Sequence, residues 1–380
     1  MMRKKEYSMS INGLTQIRNR NIMSIFNEIV RSDGILRSEI SNRTGISLMT
    51  IGKIMDQFLK RNIVYEREYM TSSAGRKPAL AFLNLNKWRI CVFSMTDHVD
   101  VSILGLDLKA VYTSRVPVKN NDWGKSLDDA IILVQNYFNS NKNTVDDIVG
   151  IGVAVPAPYD EEKDRVVCPN RPNIESLRIR KTLEKNFNTK IVIGEDVKYA
   201  GMSMTEVYPE AKESSLYYMY IGAGVGGALI NRGEIYRGID NYAGDIGQLK
   251  LGDNQTIESL IASPILKAQL AAVGVCIDAP SLPLDWDTNA DIIRLINNYA
   301  KVTALAAYNA ACMFSPEVIV IDGTYHPLGE QFYQTFNKFY DSHFEPYERQ
   351  KPKVHFSFGG TDYAVMGVSS LIRKEWLLQR

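Results

Sequence analysis

Along residues 34–60 apolar side chains recur at helical spacing in two blocks with a glycine between them. Ile40 is the inward position of a short helix predicted over 38–44, and Gly45 supplies the turn, since a positive φ is cheap only for glycine. Ser47 stands where an N-cap belongs, and Ile51, Ile54, Met55 and Phe58 follow on one helical face. Residues 63–68 and 79–83 then read as two short strands joined by a loop. Beyond residue 85 the pattern becomes α/β. Strands are predicted at 90–93 and 99–104 (a hairpin), 148–155, 190–193, 217–221, 227–230 and 318–321. Helices are predicted over 128–139, 176–186 and 290–314. This order implies two α/β lobes with a cleft between them, where small molecules usually bind.

Two helices and a tight turn followed by a β-hairpin make a winged helix-turn-helix. In it Ser47, Leu48, Met49, Thr50 and Lys53 would meet base edges from the start of the second helix. The hairpin tip, Gly75-Arg76-Lys77-Pro78, is flexible and basic, and Arg76 and Lys77 suit the negative potential of a minor groove. Gly52 inside the second helix fits either a close approach to the DNA backbone or simple tolerance. Charge changes the picture further. Residues 1–80 carry 14 Lys/Arg against 7 Asp/Glu, and the remainder 30 against 36, so a net charge of +1 hides a basic module on an acidic body. A helical domain with a solvated basic face would give the same pattern.

With 380 residues, 45% of them apolar, the chain has material for two or three domains with cores of their own. No apolar run is long enough to cross a membrane, and the charged N-terminus has no apolar stretch behind it. Four cysteines and four histidines are scattered without metal-ligand spacing, which fits a reducing cytoplasm and no metal. Gly222-Ala223-Gly224-Val225-Gly226-Gly227 runs into a strand and not a helix, so a dinucleotide fingerprint does not apply. The loop is either a phosphate cradle of bare backbone N–H groups or a tight hairpin.

Several of these segments, in this order, resemble the ROK family (repressors, open reading frames and kinases), built on the actin-like, ribonuclease H-like sugar-kinase fold. The matching stretches are residues 150–158, Ile193-Gly194-Glu195-Asp196, the loop 222–227, Tyr236-Arg237-Gly238, and Ala243-Gly244-Asp245-Ile246-Gly247-Gln248. Residues 316–323 and Gly359-Gly360-Thr361-Asp362 complete the series. The resemblance implies a winged helix-turn-helix over 1–84, a first lobe over 85–205 to which the helix 363–380 returns, and a second, dimerising lobe over 206–362. That is the layout of the family's sugar-responsive repressors, its xylose and N-acetylglucosamine regulators among them.

The departures narrow the reading. Kinases of this fold carry Asp-x-Gly-Gly-Thr where this chain has Ser94-Met95-Thr96-Asp97-His98, and the later glycine turn is thinned to Asp322-Gly323-Thr324-Tyr325. Phosphoryl transfer rests on positioning and charge neutralisation, so the resemblance implies no ATP cofactor and no catalytic residue, with Asp196 a vestigial base position. Family zinc ligands are absent together from Asp245-Ile246-Gly247-Gln248 and from residues 251–258, so no metal is expected.

Positions matching the family's sugar contacts remain polar: Asn173, Glu195, Asp196, Asp245, Gln248 and Glu258. All six can bond hydroxyls, although polar residues at strand ends need no ligand. The expected function is sequence-specific DNA binding by a cytoplasmic repressor, a homodimer or dimer of dimers, with operator DNA and a sugar-type effector as partners and no membrane contact. The alternative is a sugar kinase that also carries a DNA-binding domain.

Overall fold

Ser47 caps its helix as its position implies: its Oγ accepts from the Thr50 backbone N–H at 3.3 Å. The computed structural model describes residues 2–68, 79–168, 172–211, 213–275, 289–323, 328–345 and 350–379. The chain opens with α1 (Met2–Val30), β1 (Ile35–Leu36), α2 (Arg37–Thr44), α3 (Leu48–Lys60), β2 (Val64–Glu68) and β3 (Ala79–Leu83). Gly45 ends α2 at φ 69°, as the turn demands. Ile51, Ile54, Met55 and Phe58 are buried against Ile22, Phe26 and Ile29 of α1. β3 pairs antiparallel with β2 and also with β1, which has two residues and is too short for its pattern to register. Arg76 and Lys77 lie outside the described residues.

The first lobe contains β4 (Arg89–Met95), β5 (His98–Leu104), β6 (Ala110–Pro117), α4 (Trp123–Ser140) and β7 (Ile148–Val155). It continues with β8 (Tyr159–Asp160), β9 (Arg165–Val166), α5 (Pro172–Glu175), α6 (Ile179–Glu184) and β10 (Ile191–Glu195), and α7 (Asp196–Val207) follows. α4 starts at Trp123, ahead of the expected Asp128, because the Asp122 carboxylate caps it by accepting from the Lys125 N–H at 2.9 Å. α6 is shorter than the expected 176–186. β10 reaches Glu195, so Glu195 ends a strand and Asp196 opens a helix.

The second lobe contains β11 (Ser215–Ile221), β12 (Val225–Asn231), β13 (Glu234–Ile235), α8 (Ile257–Ile261), α9 (Ser263–Ala272) and α10 (Ala290–Phe314). β14 (Val318–Gly323), α11 (Gly329–Ser342), β15 (Lys353–Ser357) and α12 (Thr361–Leu378) complete the chain. Its sheet has the order β13-β12-β11-β14-β15, and the first lobe's has β6-β5-β4-β7-β10. Each sheet is an antiparallel meander whose first strand also pairs with a parallel strand, followed by one more. The same topology is therefore used twice.

α7 and α12 lie between these sheets. Their Tyr199, Val368 and Ile372 share one core with Ile90 and Val92 of the first sheet and Leu216 and Val320 of the second. The approach is close enough to require glycine. A Cβ on Gly367 would fall 1.8 Å from the Tyr199 carbonyl oxygen, and one on Gly152 would fall 2.7 Å from Val368 Cγ2. The packing of α12 on α7, β4 and β7 thus depends on residues bare of side chain at the contact.

Candidate functional site

Two separate regions carry the chemistry. The first is the start of α3, where Leu48 and Met49 are 57% and 75% exposed although large and apolar. Thr50 Oγ1 lies 3.0 Å from Ser47 Oγ, and Lys53 is exposed one turn on. Arg37 Nε donates to Glu66 Oε1 at 2.9 Å and its Nη2 lies 3.7 Å from Asp56 Oδ1, which ties α2 to both the hairpin and α3. A Cβ on Gly52 would meet nothing nearer than Arg37 at 3.9 Å, so no contact within the chain demands a glycine there.

The second region lies where the lobes meet. Glu195 ends β10, and Lys198, one turn into α7 and 3% exposed, donates its ammonium to the Glu195 carboxylate and to the Asn241 carbonyl. Burial raises the Glu195 carboxyl above its usual range, against the opposing pull of Lys198, and Asp245 adds to the rise. Asp245 is raised too, first by burial and then by the Glu258 charge, again against Lys198. Glu258 Oε2 accepts from the Val225 N–H at 2.9 Å, and Gln248 Nε2 approaches Glu258 Oε1 at 3.5 Å. Glu195, Asp245, Gln248 and Glu258 therefore share one electrostatic neighbourhood.

Asp196 bonds its neighbour's backbone, with Oδ1 2.6 Å from the Val197 N–H, and its charge raises the phenol of Tyr220, though less than burial does. Asn173 donates its amide to the Asn121 carbonyl at 3.0 Å, a partner outside that group. Sequence reasoning overlooked Lys198 and Asn241. A lysine inside the apolar run Val197-Lys198-Tyr199-Ala200, three residues after an acid, was the available signal.

The raised Asp245 carboxyl has a direct consequence. A folded-state value above the unfolded one contributes stability that is complete below the ordinary carboxylate range and is lost as pH rises through the raised value. We expect Asp245→Asn to raise the melting temperature of the ligand-free protein at neutral pH and to flatten that decline. Melts across the acidic range check this, and an unchanged temperature with an unchanged slope would contradict it.

The turn 94–98, which stands where the kinase pattern would place its first glycines, carries only side-chain-bearing residues. Met95 is buried, and His98 holds Asp97 through Nδ1 and Asp100 through Nε2, the latter at 2.8 Å. Gly222–Gly227 forms a hairpin, its Gly222 N–H donating to the Gly224 carbonyl at 2.8 Å. Asp322 is fully buried, and its Oδ2 accepts from Tyr218 Oη at 2.6 Å and from the Gly360 N–H at 2.9 Å. Among the described residues no three His, Cys, Asp or Glu side chains form a metal-binding group, and no helix is long and apolar enough to cross a membrane.

Comparison with known proteins places this geometry. The model of the ROK family matches residues 90–375. A xylose repressor from Bacillus subtilis is 23% identical over 248 residues, 65% of this chain and 64% of its own length. The match thus spans just under two thirds of that relative. A xylose repressor from Caldicellulosiruptor bescii is 22% identical over 350 residues, 84% of this chain and 86% of its own. Among solved structures, a ROK family transcriptional regulator described as a homolog of the E. coli MLC protein superposes with a TM-score of 0.71 at 13% identity. It covers 95% of this chain and 99% of its own.

Proposed function

The chain belongs to the ROK family, and we propose that it is a sequence-specific DNA-binding repressor whose grip on its operator is set by a sugar or sugar derivative. The observation that carries this is the start of α3, where Leu48 and Met49 stand exposed beside Thr50 and Lys53 on the basic end of the chain. Exposed methyl and thioether groups there suit thymine methyls, and Lys53 suits a phosphate. Arg76 and Lys77 are assigned to the minor groove. The effector site is assigned to Glu195, Asp196, Asp245, Gln248 and Glu258, with Asn173 at its margin. The protein acts in the cytoplasm as a homodimer or dimer of dimers, because one winged helix offers few base contacts.

The same reading makes it a protein without kinase activity, ATP or zinc. Support comes from the absence of glycine in the 94–98 turn and from Asp322, a fully buried acid side chain on the strand that precedes the thinned glycine turn. The retained Asp196 favours the alternative, a sugar kinase with a DNA-binding domain.

One set of measurements decides between them. DNA selected from a random pool should bind far more tightly than random DNA. Lys53→Ala should weaken both, and lower the slope of log affinity against log salt by about 1. Incubation with ATP-Mg and a panel of monosaccharides should give no phosphorylated sugar. Turnover abolished by Asp196→Asn would establish the kinase instead.

A further inference from the structure

Arg61, the residue that closes α3, grips the far end of α12. Its guanidinium donates to the carbonyls of Trp376 at 2.6 Å, Leu377 at 3.2 Å and Gln379 at 3.4 Å, and its Cζ lies 4.2 Å from the Trp376 ring centroid. These carbonyls stand at and just past the C-terminal end of α12, where the Trp376 oxygen also accepts from the Gln379 N–H at 3.3 Å. Arg61 itself closes the C-terminus of α3, so two negative dipole ends share one cation. Trp88 completes the group. Its indole N–H donates to the Arg61 carbonyl at 2.9 Å, and its ring lies 5.0 Å from that of Trp376. Leu377 is buried within the winged-helix core, and Arg373 donates to the Leu106 carbonyl at 2.9 Å while lying over Phe26 of α1.

The other end of α12 is held at the cleft, where the Gly360 N–H donates to Asp322 on β14. In between, α12 packs along α7, whose first turn carries Asp196 and Lys198. An 18-residue helix spans about 27 Å, so one rigid element runs from cleft to reading head.

We propose that Arg61 is a positioning residue for DNA recognition, fixing the pitch of α3 to α12 and, through α12, to the cleft. This rests on the reading of α3 as the recognition helix. Binding to two half-sites at a fixed separation needs both α3 helices held at a set angle, and a head free to swivel must be ordered first. Binding to phosphates alone tolerates any pitch.

The test uses the full-length chain with Arg61→Met, which keeps a stem to pack on Trp376 but has no donors, and Arg61→Lys, which keeps the charge without the fork. Affinity for DNA selected by the unaltered protein should fall at least tenfold in Arg61→Met, with random DNA changing less than twofold and Arg61→Lys lying between. Spin labels at Gln57→Cys on α3 and Asp129→Cys on α4, with native cysteines replaced by alanine, should give a narrow distance distribution that Arg61→Met broadens. A distribution as narrow in the variant, or equal losses on both DNAs, would overturn the proposal. If the unaltered protein fails to prefer selected DNA, the recognition-helix reading fails, and the distance measurement alone judges the clasp.

Discussion

Lys198→Met should destabilise the protein by about 3 kcal/mol, near the lower end of the range for removing one partner of a buried ion pair. Lys198 is 3% exposed and holds both the Glu195 carboxylate and the Asn241 carbonyl. Without it two part-buried acceptors lose their donor, and Glu195 and Asp245, both already raised by burial, lose the cation that opposes the rise. The Glu195 side chain keeps 14% of its exposure, which is why the smaller figure is expected. The sign with pH follows. Both acids would titrate still higher, so the variant should be closest to the parent in acid and fall further behind as pH rises through their folded values. Adding Glu195→Gln should restore part of the loss, since a neutral amide needs no counter-charge. Chemical denaturation of the single and double variants measures this cycle. A Lys198→Met protein within about 1 kcal/mol of the parent would show that the pair contributes little.

What the sequence disclosed and concealed follows from the range of the interactions involved. Ser47, Gly45 and the 51-54-55-58 stripe act within one or two turns, and spacing alone revealed the helix-turn-helix. Asp122 is an equally local cap, and giving it more weight would have started α4 at Trp123. The repeated strand order is different in kind. Topology is preserved by pairing and burial, which many apolar residues satisfy, so two sheets of one design share no visible repeat. β1 acquires its role only from Ala81 and Leu80 of β3, its partners more than 40 residues on in the chain.

The candidate pocket was legible as motifs but not as a charge balance. Glu195 read as a sugar contact, whereas in the folded chain it is engaged by Lys198, and Glu258 is engaged by the Val225 N–H. Lys198 stands three residues after Glu195, a spacing that carried a signal, whereas the Val225 partner of Glu258 is set by the fold alone. The grip of Arg61 on α12 joins residues more than 300 apart and could not be read from either segment alone.

Glu258→Gln should abolish the effector response of operator binding while leaving the ligand-free operator affinity within about twofold. A ligand shifts operator affinity only if it binds two lobe arrangements differently. In the proposed site Glu195 and Asp196 come from the end of β10 and the start of α7, and Asp245, Gln248 and Glu258 from the loop and helix of the other lobe. On the proposed reading, a sugar bridging them would favour one closure, and closure would alter the separation of the two winged helices of a dimer on a fixed pair of half-sites. A tenfold change corresponds to about 1.4 kcal/mol, within the usual span of coupling energies. Glutamine is the informative replacement. Its amide oxygen still accepts from the buried Val225 N–H, which alanine would leave unpaired at about 1–3 kcal/mol. The sugar is the one giving the largest thermal shift in a panel, where a ligand at a hundred times its Kd adds about 2.7 kcal/mol. Operator titrations with and without that sugar then compare parent and variant. A sugar that binds and stabilises the parent yet leaves its operator titration unmoved would sever the pocket from the DNA and sink this coupling.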